Sequence, residues 1–112
     1  MEEPLIEHSV YAALEERVGA DFAAELVDTF AEEGGGMLAE LRNAHAEGNA
    51  ARFRRAAHSL KSNGETFGAA RLAALARALE LNGIESADGA AVARVAAEYE
   101  QAIAELKGLR NA

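Results

Sequence analysis

The chain of 112 residues carries 19 acidic against 11 basic side chains, a formal net charge of −8 and a pI near 4.8, so its long-range field repels phosphate backbones and anionic membrane surfaces and argues against nucleic acid or lipid as a partner. Cysteine is absent, which excludes disulfides, thiol nucleophiles and thiolate metal sites and suits a reducing compartment. Half of the residues are apolar, the N-terminal MEEPLIEHS has no sustained apolar run, and nowhere do the roughly 18 apolar residues of a membrane span stand together; the expectation is one domain over residues 1–112, cytoplasmic, with no signal peptide.

Proline occurs once, at Pro4, and the chain beyond it is rich in Ala, Leu, Glu and Arg, all strong helix formers, so the fold expected is all-helical. Val10, Ala13 and Leu14 predict a short first helix that stops at Gly19, with Asp21 as the N-cap of a second. Along the second helix Phe22, Leu26 and Phe30 recur at four-residue steps, followed by Met37, Leu38, Leu41 and Ala44 before a stop at Gly48. Gly34, Gly35 and Gly36 interrupt this pattern, each glycine costing about 1 kcal/mol relative to alanine in a helix interior. Two readings stay open there: a bent or locally frayed helix, or a true break into two.

Asn49 predicts the N-cap of a third helix running to about Phe67, Gly68 a turn, and Leu72, Leu75, Leu79 and Leu81 a fourth helix ending at Gly83. After NGIESAD, Asp88 caps a last helix in which Val92, Val95, Tyr99, Ile103, Leu106 and Leu109 return at three- and four-residue steps. Connections this short make antiparallel neighbours, so the architecture expected is an up-and-down four-helix bundle with the short first helix across one end.

On the third helix, at ~100° per residue, Phe53, Ala56, Ala57, Gly64 and Phe67 all fall within roughly 60° of Leu60 and define a buried stripe. His58 falls about 160° from Leu60, on the opposite face. Arg54, Lys61, Ser62 and Glu65 lie within about 60° of it, so an exposed imidazole is flanked by two cations and by a small side chain in an otherwise acidic protein. That is a place for a transient anion. The other histidines, His8 and His45, have no ligand spacing to His58, so no metal site is expected. Ser59 is about 100° around the helix from His58, which is poor geometry for a serine hydrolase.

The segment AHSLKSNGETFGA resembles the signature of histidine-containing phosphotransfer domains, His-x-Leu-Lys-Gly/Ser followed by small residues and a Gly-Ala turn, through His58, Leu60, Lys61, Ser62, Gly64, Gly68 and Ala69. The following ARLAALARALE is also similar to the family's next helix. The resemblance implies a phosphocarrier, not an enzyme in the usual sense, without ATP binding or autokinase activity. On that reading His58 takes a phosphoryl group from an aspartate of a receiver domain or from a hybrid sensor histidine kinase and passes it to a response regulator. The receiver brings Mg²⁺, and the chain needs no cofactor of its own and works as a monomer.

Within that reading Lys61 is expected to stabilise equatorial oxygens of the phosphoryl group in flight. Glu80 stands where many members of the family have Gln or Glu. An antiparallel hairpin around Gly68 brings it level with His58, so its carboxylate is expected to accept from Nδ1 and leave Nε2 to react. Arg54, Ser62 and Glu65 are expected in the docking rim, joined by Phe22, Leu26 and the neighbours of Phe30 on the second helix. Gly64 is expected to admit a close neighbouring helix and Gly68 to make the turn. Ser62 and Asn63 replace the family's frequent Gly and Ser, and the triple glycine is unusual. The competing readings are the dimerisation segment of a sensor kinase, a phosphotransfer segment of a larger hybrid kinase, and a helical adaptor with an incidental histidine.

Overall fold

Glycines and side-chain caps divide the described residues into five α-helices: α1 (His8–Val18), α2 (Ala20–Glu47), α3 (Ala50–Phe67), α4 (Ala70–Asn82) and α5 (Gly89–Arg110), with a short 3-10 turn at Ile84–Ser86. The computed structural model describes residues 3–112; residues 1 and 2, part of the N-terminal stretch read above, lie outside the described residues. Helices α2, α3, α4 and α5 pack in a ring in which each touches the next and α5 closes back on α2, while α1 lies against α2 and α3. No strand occurs among the described residues, and no helix is long and apolar enough to cross a membrane.

The caps account for most boundaries. The Asn49 side chain accepts from the Arg52 amide at 3.1 Å and Asp88 from the Ala91 amide at 2.8 Å, each satisfying one of the orphan donors of a helix N-terminus. Asp21 does not cap α2: Gly19 ends α1 and begins α2 in one residue, so the helix is already under way when the chain reaches Asp21.

Helix α2 is unbroken from Ala20 to Glu47, and its 28 residues at ~1.5 Å rise make it about as long as the 41 Å greatest extent of the molecule. The glycines at 34 to 36 therefore neither break nor fray it. Gly34 is buried where the Tyr99 ring of α5 crosses, and a Cβ there would sit 2.6 Å from Tyr99 Cζ. The Tyr99 hydroxyl, 3.0 Å from the Phe30 carbonyl and 2.9 Å from that of Ala31, donates its proton to this part of α2. Phe30 in turn stacks on Phe67 with ring centres 5.1 Å apart, and Tyr99 meets its edge at 5.5 Å. Three helices are thus joined by one aromatic cluster, and close approach, not flexibility, accounts for Gly34.

The buried stripe of α3 consists of Phe53, Ala56, Ala57, Leu60, Gly64 and Phe67. Against it, α4 approaches so closely that a Cβ on Gly64 would lie 3.3 Å from Ala73. Gly68 turns the chain with φ of +77°, and its backbone also receives the N-terminal segment: the Glu7 amide donates to the Gly68 carbonyl at 2.6 Å. A Cβ there would lie 2.7 Å from the Glu7 carbonyl oxygen. On α2 the buried face is Ala23, Val27, Phe30, Gly34, Leu38, Leu41 and Ala44. Phe22, 49% exposed, and Leu26 sit at its margin, one residue off the true stripe.

Candidate functional site

The amphipathic period of α3 turns His58 outward, and the antiparallel hairpin of α3 and α4 sets Glu80 beside it. His58 Nδ1 is 2.7 Å from Glu80 Oε2, and the imidazole side chain is 57% exposed while that of Glu80 is 19% exposed. Glu80 also holds Lys61, whose Nζ is 2.9 Å from Oε1. The Lys61 ammonium first, and the hydrogen bond from His58 next, keep the Glu80 carboxyl below its usual range against the opposing effect of burial. Glu80 is consequently an ionised acceptor at neutral pH, and an ionised carboxylate can only accept. The proton therefore sits on Nδ1, which donates to Oε2, and the Nε2 lone pair points away from Glu80.

Near Nε2 the Ser62 hydroxyl stands at 3.5 Å, too long to block the nitrogen firmly. A hollow beside the ring is lined by Ala51, Arg54, Arg55, His58, Ser59 and Glu80. It adjoins a groove between α2 and α3 formed by Gly36, Met37, Glu40, Arg52, Arg55, Ala56 and Ser59. What the arrangement offers chemically is one exposed imidazole whose Nδ1 is engaged by a carboxylate, with arginines at its rim: a nucleophile suited to an anionic electrophile.

Comparison with known proteins agrees with this chemistry. The model of the Hpt domain family matches residues 25–108, well over half of the chain. The chain belongs to the Hpt domain family. The crystal structure of histidine-containing phosphotransfer protein B (HptB) from Pseudomonas aeruginosa PAO1 superposes with a TM-score of 0.88 at 26% identity, covering 98% of this chain and 97% of that one. Among curated proteins no match to the sequence is found. The fold is thus that of an Hpt helical bundle, and the function is histidine phosphotransfer in two-component signalling.

The Hpt bundle gathers some of the expected residues and separates others. His58, Lys61, Glu80 and Ser62 come together as one cluster, and Arg54 lines the hollow beside His58. Glu65 does not reach that hollow: two turns further along α3, it lines a separate groove with Glu7, Lys61 and Arg77 under the N-terminal segment. Phe22 and Leu26, expected in the rim, lie elsewhere on α2. Because α2 runs antiparallel to α3, Arg52 pairs with Glu40 at 2.5 Å and the Asn63 amide donates weakly to Met37 Sδ at 3.8 Å, so the α2 residues alongside His58 are Gly36, Met37 and Glu40. Phe22 lies 15 residues before Met37, roughly 22 Å along the helix.

Arg55, Ser59, Met37 and Glu40 were not singled out from sequence. Arg55, about 60° from His58 on the wheel, could have been found there; Met37 and Glu40 required the pairing of α2 with α3. The remaining histidines bind elsewhere: His45 Nε2 is 2.9 Å from the Ala87 carbonyl, tying α2 to the start of α5, and His8 Nε2 is 2.8 Å from Glu105. Among the described residues no three His, Asp or Glu side chains are grouped to hold a metal ion.

Proposed function

We propose that this protein is a phosphorelay intermediate that carries the phosphoryl group on His58 Nε2, taking it from an aspartyl phosphate of a receiver domain or hybrid sensor kinase and giving it to the aspartate of a response regulator. The observation that carries the reading is the Nδ1 contact to Glu80. It supports Nε2 as the nucleophile, since Nδ1 faces the carboxylate and Nε2 lies on the other side of the ring. In the forward step the Nε2 lone pair forms a bond to phosphorus as the phosphorus–oxygen bond of the acyl phosphate breaks, and the aspartate leaves with the bonding electrons. The Nδ1 proton stays in place, so the ring becomes cationic, and the ionised Glu80 carboxylate stabilises that charge where it develops. Return transfer reverses each of these changes.

On this reading the chain neither binds ATP nor phosphorylates itself, and Mg²⁺ belongs to the receiver, which supplies the charge neutralisation that the ion provides. The direct test is transfer from a panel of phosphorylated receivers and hybrid kinases to the purified protein, followed by acid and base treatment. An acid-labile, base-stable product is expected. A base-labile product would mean an acyl phosphate, and no product from any donor would favour the adaptor reading. Glu80→Ala is expected to lower the transfer rate about 10- to 100-fold, the range seen when the carboxylate that orients a metal-bound histidine is lost, and Glu80→Gln to recover part of it. An unchanged rate in Glu80→Ala would remove Glu80 from the mechanism.

A further inference from the structure

Resting on the phosphotransfer reading, the geometry points to Arg55 as the source of the positive charge that meets the incoming phosphoryl group, with Lys61 serving as a positioning residue through Glu80. Lys61 is committed on the far side of that carboxylate. Its ammonium is bound to Oε1, the oxygen not used by His58, and its side chain is only 21% exposed. It lines the groove under the N-terminal segment and not the hollow in front of the imidazole. The carboxylate thus lies between Lys61 and Nδ1, while the reacting nitrogen is Nε2.

Arg54 and Arg55 do line the hollow. Neither forms an ion pair or a side-chain hydrogen bond among the described residues. They differ in direction. Arg54 reaches toward the end of α4, where its guanidinium lies 3.8 Å from the position of a Cβ on Gly83, and it lines a second depression with Asn82, Ile84 and Glu85. Arg55 and Ser59 are instead shared by the His58 hollow and the α2–α3 groove. The carboxylate in that groove that could neutralise Arg55 is Glu40, and Glu40 is taken by Arg52, which Glu47 holds from its other side at 2.9 Å. Arg55 contributes to the field that keeps the Glu40 carboxyl below its usual range but forms no direct ion pair with it, so its guanidinium is left without a bound carboxylate beside the reactive face, and a guanidinium matches the oxygens of a phosphoryl group in two-point geometry.

The test separates the two roles by reading the imidazole and the transfer independently. Ring ¹⁵N shifts of His58 report the tautomer in the resting protein, with no donor present. Transfer from a phosphorylated receiver, followed over receiver concentration, reports the saturated rate and the half-saturating concentration. Lys61→Met is expected to reduce the Nδ1–H population and to lower the saturated rate, with Lys61→Arg restoring both. Arg55→Gln is expected to leave the ¹⁵N shifts at their wild-type values while lowering the saturated rate about tenfold, and Arg54→Gln to alter mainly the half-saturating concentration. A Lys61→Met protein with wild-type shifts and a slow transfer would overturn the assignment in favour of Lys61 touching the phosphoryl group directly. Wild-type saturated transfer in Arg55→Gln would overturn the role of Arg55. If no receiver phosphorylates even the wild type, it is the phosphotransfer reading that fails, and the ¹⁵N shifts of Lys61→Met still decide whether Lys61 positions the carboxylate.

Discussion

His58→Gln is expected to abolish the acid-labile label entirely while leaving thermal unfolding near the wild-type value. The two halves of this expectation have separate grounds. Glutamine has no nucleophilic lone pair at the position of Nε2, and no second histidine is placed to replace it: His45 is tied to the Ala87 carbonyl and His8 to Glu105. Stability should hold because the imidazole is 57% exposed and the α3 stripe lies on the opposite face. Surface changes of this kind stay within about 0.5 kcal/mol. Glu80 keeps its Lys61 partner in the variant. Labelling and melting curves on the same preparation check both halves, and residual label in a folded His58→Gln protein would place the phosphoryl group elsewhere.

The second large effect concerns the three consecutive glycines, which should respond to alanine with opposite signs. Gly34→Ala is expected to destabilise the protein. Its Cβ would enter the space held by the Tyr99 ring, which is 3% exposed and fixed by its hydroxyl to the carbonyls of Phe30 and Ala31. Overpacking of this kind costs about 1–3 kcal/mol, more than the ~1 kcal/mol that alanine gains over glycine in a helix interior. At Gly35 and Gly36 a Cβ would meet nothing within 4 Å, so only the helix propensity remains and each substitution should stabilise by up to about 1 kcal/mol. Chemical denaturation of the three single variants measures this directly. A stable Gly34→Ala protein would mean that Tyr99 moves aside easily and that the aromatic cluster is looser than its geometry.

These glycines also show where the sequence was legible and where it was not. The stripe of α3 could be read because its period is strict and its stop signals are local: Asn49 caps one end and Gly68 turns the other. From that stripe the outward direction of His58 followed, and the height of Glu80 followed from counting residues around a hairpin. Gly34 could not be understood in this way, because its reason is Tyr99, 65 residues further along the chain and on another helix. Rim and core on α2 could not be separated from the sequence for a related cause: Phe22 and Leu26 are the large apolar residues, yet Ala23 and Val27 are the ones fully buried, since a tight approach between helices favours small side chains at the contact.

Rotamers set the other limit. A wheel places Lys61 near His58 but says nothing of which partner its four-carbon stem will choose, and here it pairs with Glu80 Oε1. Nor does anything in one helix show, for Arg55 at a similar angular distance, that the neighbouring acid Glu40 is paired with Arg52.

The central claim is that the phosphoryl group resides on Nε2 of His58 with the proton held on Nδ1 by Glu80. Correlation of ³¹P with ring ¹⁵N in phosphorylated protein labelled at histidine tests it most directly. The account predicts coupling of phosphorus to Nε2 of His58 alone. Coupling to Nδ1, or to a ring of His8 or His45, would contradict it.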